Sequence, residues 1–146
     1  MSAVAWSTIR QRFKNAVDAI AGFSESRNPY DNFGRNPNTV AHLRFAIGLT
    51  STAAQSGRQK QAIGIVSNTT MSVRFAYRIR PKDQISSYDD ALDTAQSVIQ
   101  SCTNRTAALY TNTQIKYDSM SYTLANSGEY MIFDVYFLCL HQIPLA

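Results

Sequence analysis

The chemically versatile side chains of this chain are few: two histidines and two cysteines in 146 residues. His42 and His141 each fall in an alternating segment, with no acid or cysteine nearby at a step that suggests a catalytic pair. Cys102 and Cys139 stand in apolar patterns, with no CxxC and no metal-ligand spacing. They read as buried reduced thiols, although spacing alone leaves a disulfide between them open. A Cys–His pair built from Cys102 or Cys139 with His42 is the one nucleophilic arrangement these types permit, and nothing in the spacing favours it. The carboxylates Asp31, Asp83, Asp89, Asp90, Asp93 and Glu129 scatter over loops and a helix start, where solvated or capping roles account for them. There is no G-x-G-x-x-G and no P-loop, and Gly34, Gly57 and Gly128 suit turns. The expectation is a protein that is not an enzyme and needs no cofactor or metal.

Positive charge is the second candidate chemistry. The net charge is +4 and the isoelectric point about 9.2, which is mildly basic. Arg44, Arg74, Arg78 and Arg80 fall on the polar side of two adjoining alternating segments. They gather into one basic patch, which is either a plain solvated sheet face or a contact for an acidic surface or for DNA phosphates. A sheet that reads nucleic acid interleaves aromatic rings with its arginines. Phe45, Phe75 and Tyr77 alternate to the opposite side, which argues against that use.

The elements that must position these groups follow from periodicity. Trp6, Ile9, Phe13, Ala16, Val17 and Ile20 recur at helical steps, with Ser7 as a cap and Gly22 as a stop. Arg10, Arg12, Lys14 and Asp18 break the stretch as a secretory signal, and no apolar run is long enough to span a membrane. Asn68-Thr69-Thr70 and Asn104-Arg105-Thr106 match the glycosylation pattern, which carries no weight without such a signal. Residues 24–39, SESRNPYDNFGRNPNT, form a turn-rich loop anchored by Tyr30 and Phe33. Residues 40–50 alternate as a half-buried strand, and 51–61 are small, polar and loop-like. Met71 to Arg80 alternate most strongly, with residues 62–66 as a further extension and Pro81 as the end.

Ser87 and Asp90 have the spacing of a capping box ahead of a helix striped by Tyr88, Ala91, Leu92, Ala95, Val98, Ile99 and Cys102. Burying its four largest stripe residues contributes roughly 6–12 kcal/mol gross. Residues 103–114 form a polar connection containing Tyr110. Residues 115–124 and 129–141 form a hairpin around Ala125-Asn126-Ser127-Gly128. Both faces of 129–141 are largely apolar, so it is a central strand or one that meets another subunit. The expected architecture is an α+β two-layer domain. It has a mainly antiparallel four-stranded sheet and two helices on one face, in the order α-β-β-α-β-β.

Three stretches together resemble the tail-terminator family of tailed bacteriophages. They are the Trp6–Ile20 helix with its Pro/Asn loop, Val73-Arg74-Phe75-Ala76-Tyr77-Arg78-Ile79-Arg80-Pro81 leading into Tyr88-Asp89-Asp90-Ala91-Leu92, and Tyr130-Met131-Ile132-Phe133-Asp134-Val135-Tyr136-Phe137. The resemblance spans nearly the whole chain at the level of element order. It implies a single domain over residues 1–146 that assembles as a hexameric ring in the virion. The ring would cap the finished tail tube, stop its polymerisation and offer a joining surface to the head connector, with DNA passing through the lumen. Another connector or head-completion ring, or a small nucleic-acid-binding module using the arginine face, are the alternatives.

Charged residues make up only 16% of the chain, and a surface rich in neutral polar groups suits packing against neighbours. The expected assembly contacts are Arg58 and Lys60 at a loop tip, the arginines Arg44, Arg74 and Arg78, and the outer residues Ile132, Tyr136 and Leu138. Charge reversal at Arg58 and Lys60 is expected to leave the fold intact and abolish binding to the tail tube. Unchanged tube binding in a co-sedimentation assay would remove that role.

Overall fold

The computed structural model describes residues 3–29, 41–54, 65–104, 111–125 and 128–144. Helix α1 (Trp6–Asp18) buries Ile9, Phe13 and Val17. Trp6, the first member of the sequence stripe, is 42% exposed. The N-cap is Ala5 rather than Ser7 and makes no side-chain capping bond. Gly22 lies beyond the helix end at φ 88°, where a Cβ would stand 3.0 Å from Leu43 Cδ1.

The sheet has five strands, not four. Strands β1 (Ser24–Glu25), β2 (Arg44–Ala54), β3 (Ile65–Arg78), β4 (Gln114–Leu124) and β5 (Tyr130–Ile143) lie in the spatial order β1-β2-β3-β5-β4. β1 is parallel to β2, and every other neighbouring pair is antiparallel. The extra strand comes from the Pro/Asn-rich stretch and is two residues long, too short for any alternation to announce it. β2 absorbs residues 51–54 of the expected loop. Tyr30, Phe33, Arg58, Lys60 and Tyr110 lie outside the described residues.

β3 begins six residues before Met71, for a physical reason. Its inward-facing residues there are Ser67 and Thr69, which are buried but polar. Ser67 Oγ lies 3.2 Å from Thr69 Oγ1, which lies 2.9 Å from His141 Nε2. His141 Nδ1 lies 3.1 Å from the Val4 carbonyl. A hydroxyl relay ending on a buried histidine therefore replaces the apolar alternation, and burial costs little because each group is bonded. Val4 N–H also donates to the Gln142 carbonyl at 2.8 Å, which ties the segment before α1 to β5.

Helix α2 (Gln84–Cys102) starts three residues before Ser87, with Asp83 as its N-cap. The Ser87 and Asp90 pair does not cap it. Ser87 Oγ accepts bonds from Arg80 N and Nε at 3.1 Å each, and Asp90 Oδ2 accepts Arg80 Nη2 at 2.8 Å. The motif fastens the strand end to the helix instead.

Both helices share one core with the inner sheet face. Ala91, Ala95, Val98 and Cys102 of α2 join Ile9, Phe13 and Val17 of α1 there. Phe75 and Phe133 stack at 4.9 Å and 7°, Phe23 meets Phe75 at 5.4 Å, and Phe13 meets Phe137 at 5.4 Å. Cys102 and Cys139 are free, fully buried thiols, and burial pushes each up to about 12. At neutral pH they are unreactive protonated groups.

Candidate functional site

The chain's outermost long strand is nearly uncovered. Among the described residues the one strand that pairs with β4 is β5, and nine of the eleven β4 residues are exposed; Ile115 is buried and Met120 half-buried. Alternation sends Tyr117, Tyr122 and Leu124 to the helix side of the sheet, opposite Phe137, Phe133 and Met131 of β5. The helices cover them only in part. Leu124 remains 62% exposed, and Ile85 on the first turn of α2 is 81% exposed. Tyr88 of α2 meets Tyr122 edge-on at 6.1 Å, with hydroxyls 3.3 Å apart. That shared bond holds the Tyr88 hydroxyl above its ordinary pKa. Beside the pair lies an open hollow of about 340 Å³, lined by Ile79, Gln84, Tyr88, Tyr122, Leu124, Gly128 and Met131. A sheet edge with no strand beyond it among the described residues, bordered by exposed aromatic and aliphatic side chains, is suited to binding protein.

The outer sheet face carries the second candidate. Arg44, Arg74 and Arg78 alternate onto it, as expected. Arg80 does not, because it turns to α2. Register also brings two tyrosines onto this face, Tyr130 opposite Arg78 and Tyr136 opposite Ser72. The reading that no aromatic interleaves with the arginines is thereby corrected. It weighed only β2 and β3, whereas the rings come from β5, which sits next to β3. Ile132 is 5% exposed, covered in a small outer cluster with Ala46, Ala76, Ala125 and Tyr130, while Tyr136 and Leu138 are half-buried. Ile132 is thus packing material of the domain, and Tyr136 and Leu138 are the accessible members of that expected trio.

Arg74 Nε donates to Asp134 Oδ1 at 2.7 Å across the β3–β5 pair. This short charge-assisted bond is half-shielded from water. Asp134→Ala is expected to destabilise the fold by about 1–2 kcal/mol. Urea unfolding would read the loss, and an unchanged midpoint would show the pair to be idle.

At the end of β3 an open cleft of about 400 Å³ is lined by His42, Tyr77, Arg78, Ile79, Arg80 and Pro81. Arg78 N–H donates to His42 Nδ1 at 3.1 Å, so the neutral ring carries its proton on Nε2. Tyr77 meets the His42 ring edge-on at 4.7 Å, and Leu43 next to it takes the uncommon left-handed conformation at φ 60°. Burial, then the charges of Arg78 and Arg80, lower the His42 pKa. The cleft can offer N–H donors and positive charge to an anion. Among the described lining residues there is no carboxylate or thiol to act as a partner to the histidine.

His141 is also lowered by burial, against the opposing pull of its bonds to the Gln142 and Val4 carbonyls. Both histidines therefore bind protons more weakly folded than unfolded. Folding stability is complete above the ordinary histidine value of 6.5 and falls as pH drops below it, because the unfolded chain takes up protons first. The urea midpoint is expected to be lower at pH 5.5 than at pH 7.5, with a smaller difference in His141→Gln. A midpoint flat over that range would contradict the burial of these rings.

Among the described residues no group of three metal-ligating side chains gathers, and no helix is long and apolar enough to cross a membrane. No protein-family model matches this sequence, and no curated protein matches it either.

Proposed function

We propose that this chain is a structural protein of a phage tail, assembling as a ring that caps the finished tail tube and presents a joining surface to the head connector. One observation carries the assembly part: a long sheet edge, β4, with no strand beyond it among the described residues and an apolar row that stays partly exposed. A monomer with no partner gains nothing from exposing Tyr117, Tyr122, Leu124, Tyr88 and Ile85 together, whereas a subunit of a ring buries them. The tail-terminator assignment and the hexameric count rest on the sequence resemblance, and the α+β domain with both helices on one sheet face agrees with it.

In this reading the partners are further copies of the chain, the tail tube protein and the head connector, at the head–tail junction of the virion. Assembly takes place in the host cytoplasm. The test is elongation of tail-tube subunits in the presence of this protein. Tubes are expected to stop growing and to carry a ring at one end in electron micrographs. Tubes that keep growing, with bare ends, would refute the capping role.

A second reading draws support from the outer face, where Arg44, Arg74 and Arg78 lie with Tyr130 and Tyr136. Such a face is suited to single-stranded nucleic acid, through phosphate contacts and base stacking. Arg74 is already bonded to Asp134, which weakens this reading. Salt-dependent binding of a single-stranded oligonucleotide that is lost in a Tyr136→Ala variant would favour it over the ring.

A further inference from the structure

The geometry points to one specific joint between copies: β4 of one subunit pairs antiparallel with the outer edge of β2 in the next, continuing a single sheet from subunit to subunit. This rests on the assembly reading and adds which two surfaces meet.

Strand direction is the first argument. β2 is antiparallel to β3, β3 to β5, and β5 to β4. β2 and β4 therefore run in opposite directions at opposite sides of the sheet. A second copy placed alongside in the same orientation brings β2 against β4 in antiparallel register, with both helix layers on the same side. No inversion of the subunit is needed.

The second argument is that, among the described residues, no strand covers either edge over matching lengths. β1 covers β2 only at Arg44 and Phe45, and Ser26 N–H bonds the Phe45 carbonyl. Among the described residues no strand pairs with the outer edge of β2 from residue 46 to residue 54. That stretch is about 30 Å long at roughly 3.3 Å per residue, and Lys116–Leu124 of β4 is as long.

Third, both edges are only lightly protected. Monomeric proteins guard a free edge with charge, proline or a bulge. β2 has no charged residue and no proline after Arg44. β4 has Lys116 and Asp118 at one end only, and Ser119–Leu124 is uncharged. Each strand does hold one register shift, at Leu49/Ser51 and at Tyr117/Ser119. The uncharged half of β4 lies beyond its own.

Fourth, the side chains agree with the joint. Leu49 of β2 is 41% exposed and faces the helix side, as do Tyr117, Tyr122 and Leu124 of β4. Continuing the sheet sets these apolar groups on the same side, where they cover one another. On the outer side small residues meet: Gly48, Ser51 and Ala53 against Ser119, Ser121 and Thr123. A contact between two different patches is heterologous, and it closes into a ring when the rotation per subunit divides a full turn.

Ser51→Cys and Ser121→Cys, singly and together, test the joint with a short bis-maleimide, since the native thiols are buried and protonated. Both serines are exposed. The double variant is expected to give a ladder of covalent dimers, trimers and higher species, and each single variant to stay uncrosslinked. Dimers from Ser121→Cys alone would mean that β4 pairs with β4 about a two-fold axis, which overturns the inference while leaving self-assembly standing. An assembled protein in which no variant crosslinks places the joint elsewhere and overturns it too. An unsubstituted protein that light scattering finds monomeric, alone and with tail-tube subunits, would instead refute the assembly reading beneath it.

Discussion

Leu124→Lys is expected to break the assembled protein into folded monomers. Leu124 is the most exposed apolar residue of β4, at 62%, and belongs to the row with Tyr117 and Tyr122 on the helix side. Because it is largely in water within one subunit, the substitution changes the stability of that subunit by no more than about 0.5 kcal/mol. In a dry contact the same lysine brings a charge against apolar surface. Removing a well-packed apolar anchor from an interface costs about 2 kcal/mol or more, and each 1.4 kcal/mol is about tenfold in affinity. Every joint of a ring carries the loss. Light scattering would read the mass and thermal unfolding the fold. A variant that keeps the mass of the unsubstituted protein would remove β4 from the contact.

The second large effect is expected in the core. Phe75→Ala removes a ring that is fully buried, stacked on Phe133 at 4.9 Å and touched edge-on by Phe23 at 5.4 Å. Three elements meet there: β3, β5 and the segment leading into β1. The backbone of a central strand cannot collapse to fill the space. A loss of about 3–5 kcal/mol follows, set against a total of about 5–15 kcal/mol for a domain. A urea midpoint shifted down at unchanged slope is the expected record. A loss under about 1 kcal/mol would mean that the aromatic stack does not hold the two central strands together.

Much of this fold could be read in the chain wherever one face of an element is apolar and the other polar. The α1 stripe Ile9, Phe13 and Val17, and the alternation Met71, Val73, Phe75 in β3, are buried as their spacing implied. The reading of 129–141 as a central strand agrees with β5 lying between β3 and β4, since both its faces are apolar and both are packed or half-packed.

Legibility failed where hydrogen bonds took over from hydropathy. Ser67 and Thr69 face inward because His141 satisfies them, so the first third of β3 showed no apolar period. Ser87 and Asp90 stand at capping-box spacing yet serve Arg80, a residue from the preceding strand end. β1 is held by two register pairs and the backbone bonds of Ser24 N–H to Leu43 and Ser26 N–H to Phe45, too little for any pattern.

The candidate site was the least legible part, and the reason is topological. Whether a strand is an edge depends on which neighbours it finds, and the alternation of Tyr117, Met120 and Tyr122 is the same for a covered strand as for an open one. The apolar row of β4 was visible in the sequence as a strand face. That the helices cover it only in part was not. The same holds for Tyr130 and Tyr136, whose meeting with the arginine face depends on β5 pairing with β3 rather than on anything within either segment.

The mass of the unsubstituted protein in solution, followed by light scattering over a range of micromolar concentrations, tests most directly whether these edges exist to join copies. A discrete multiple of the 16.3 kDa chain, six-fold if the family resemblance holds, is the predicted result. A single 16.3 kDa species at every concentration, alone and with tail-tube subunits present, would contradict it.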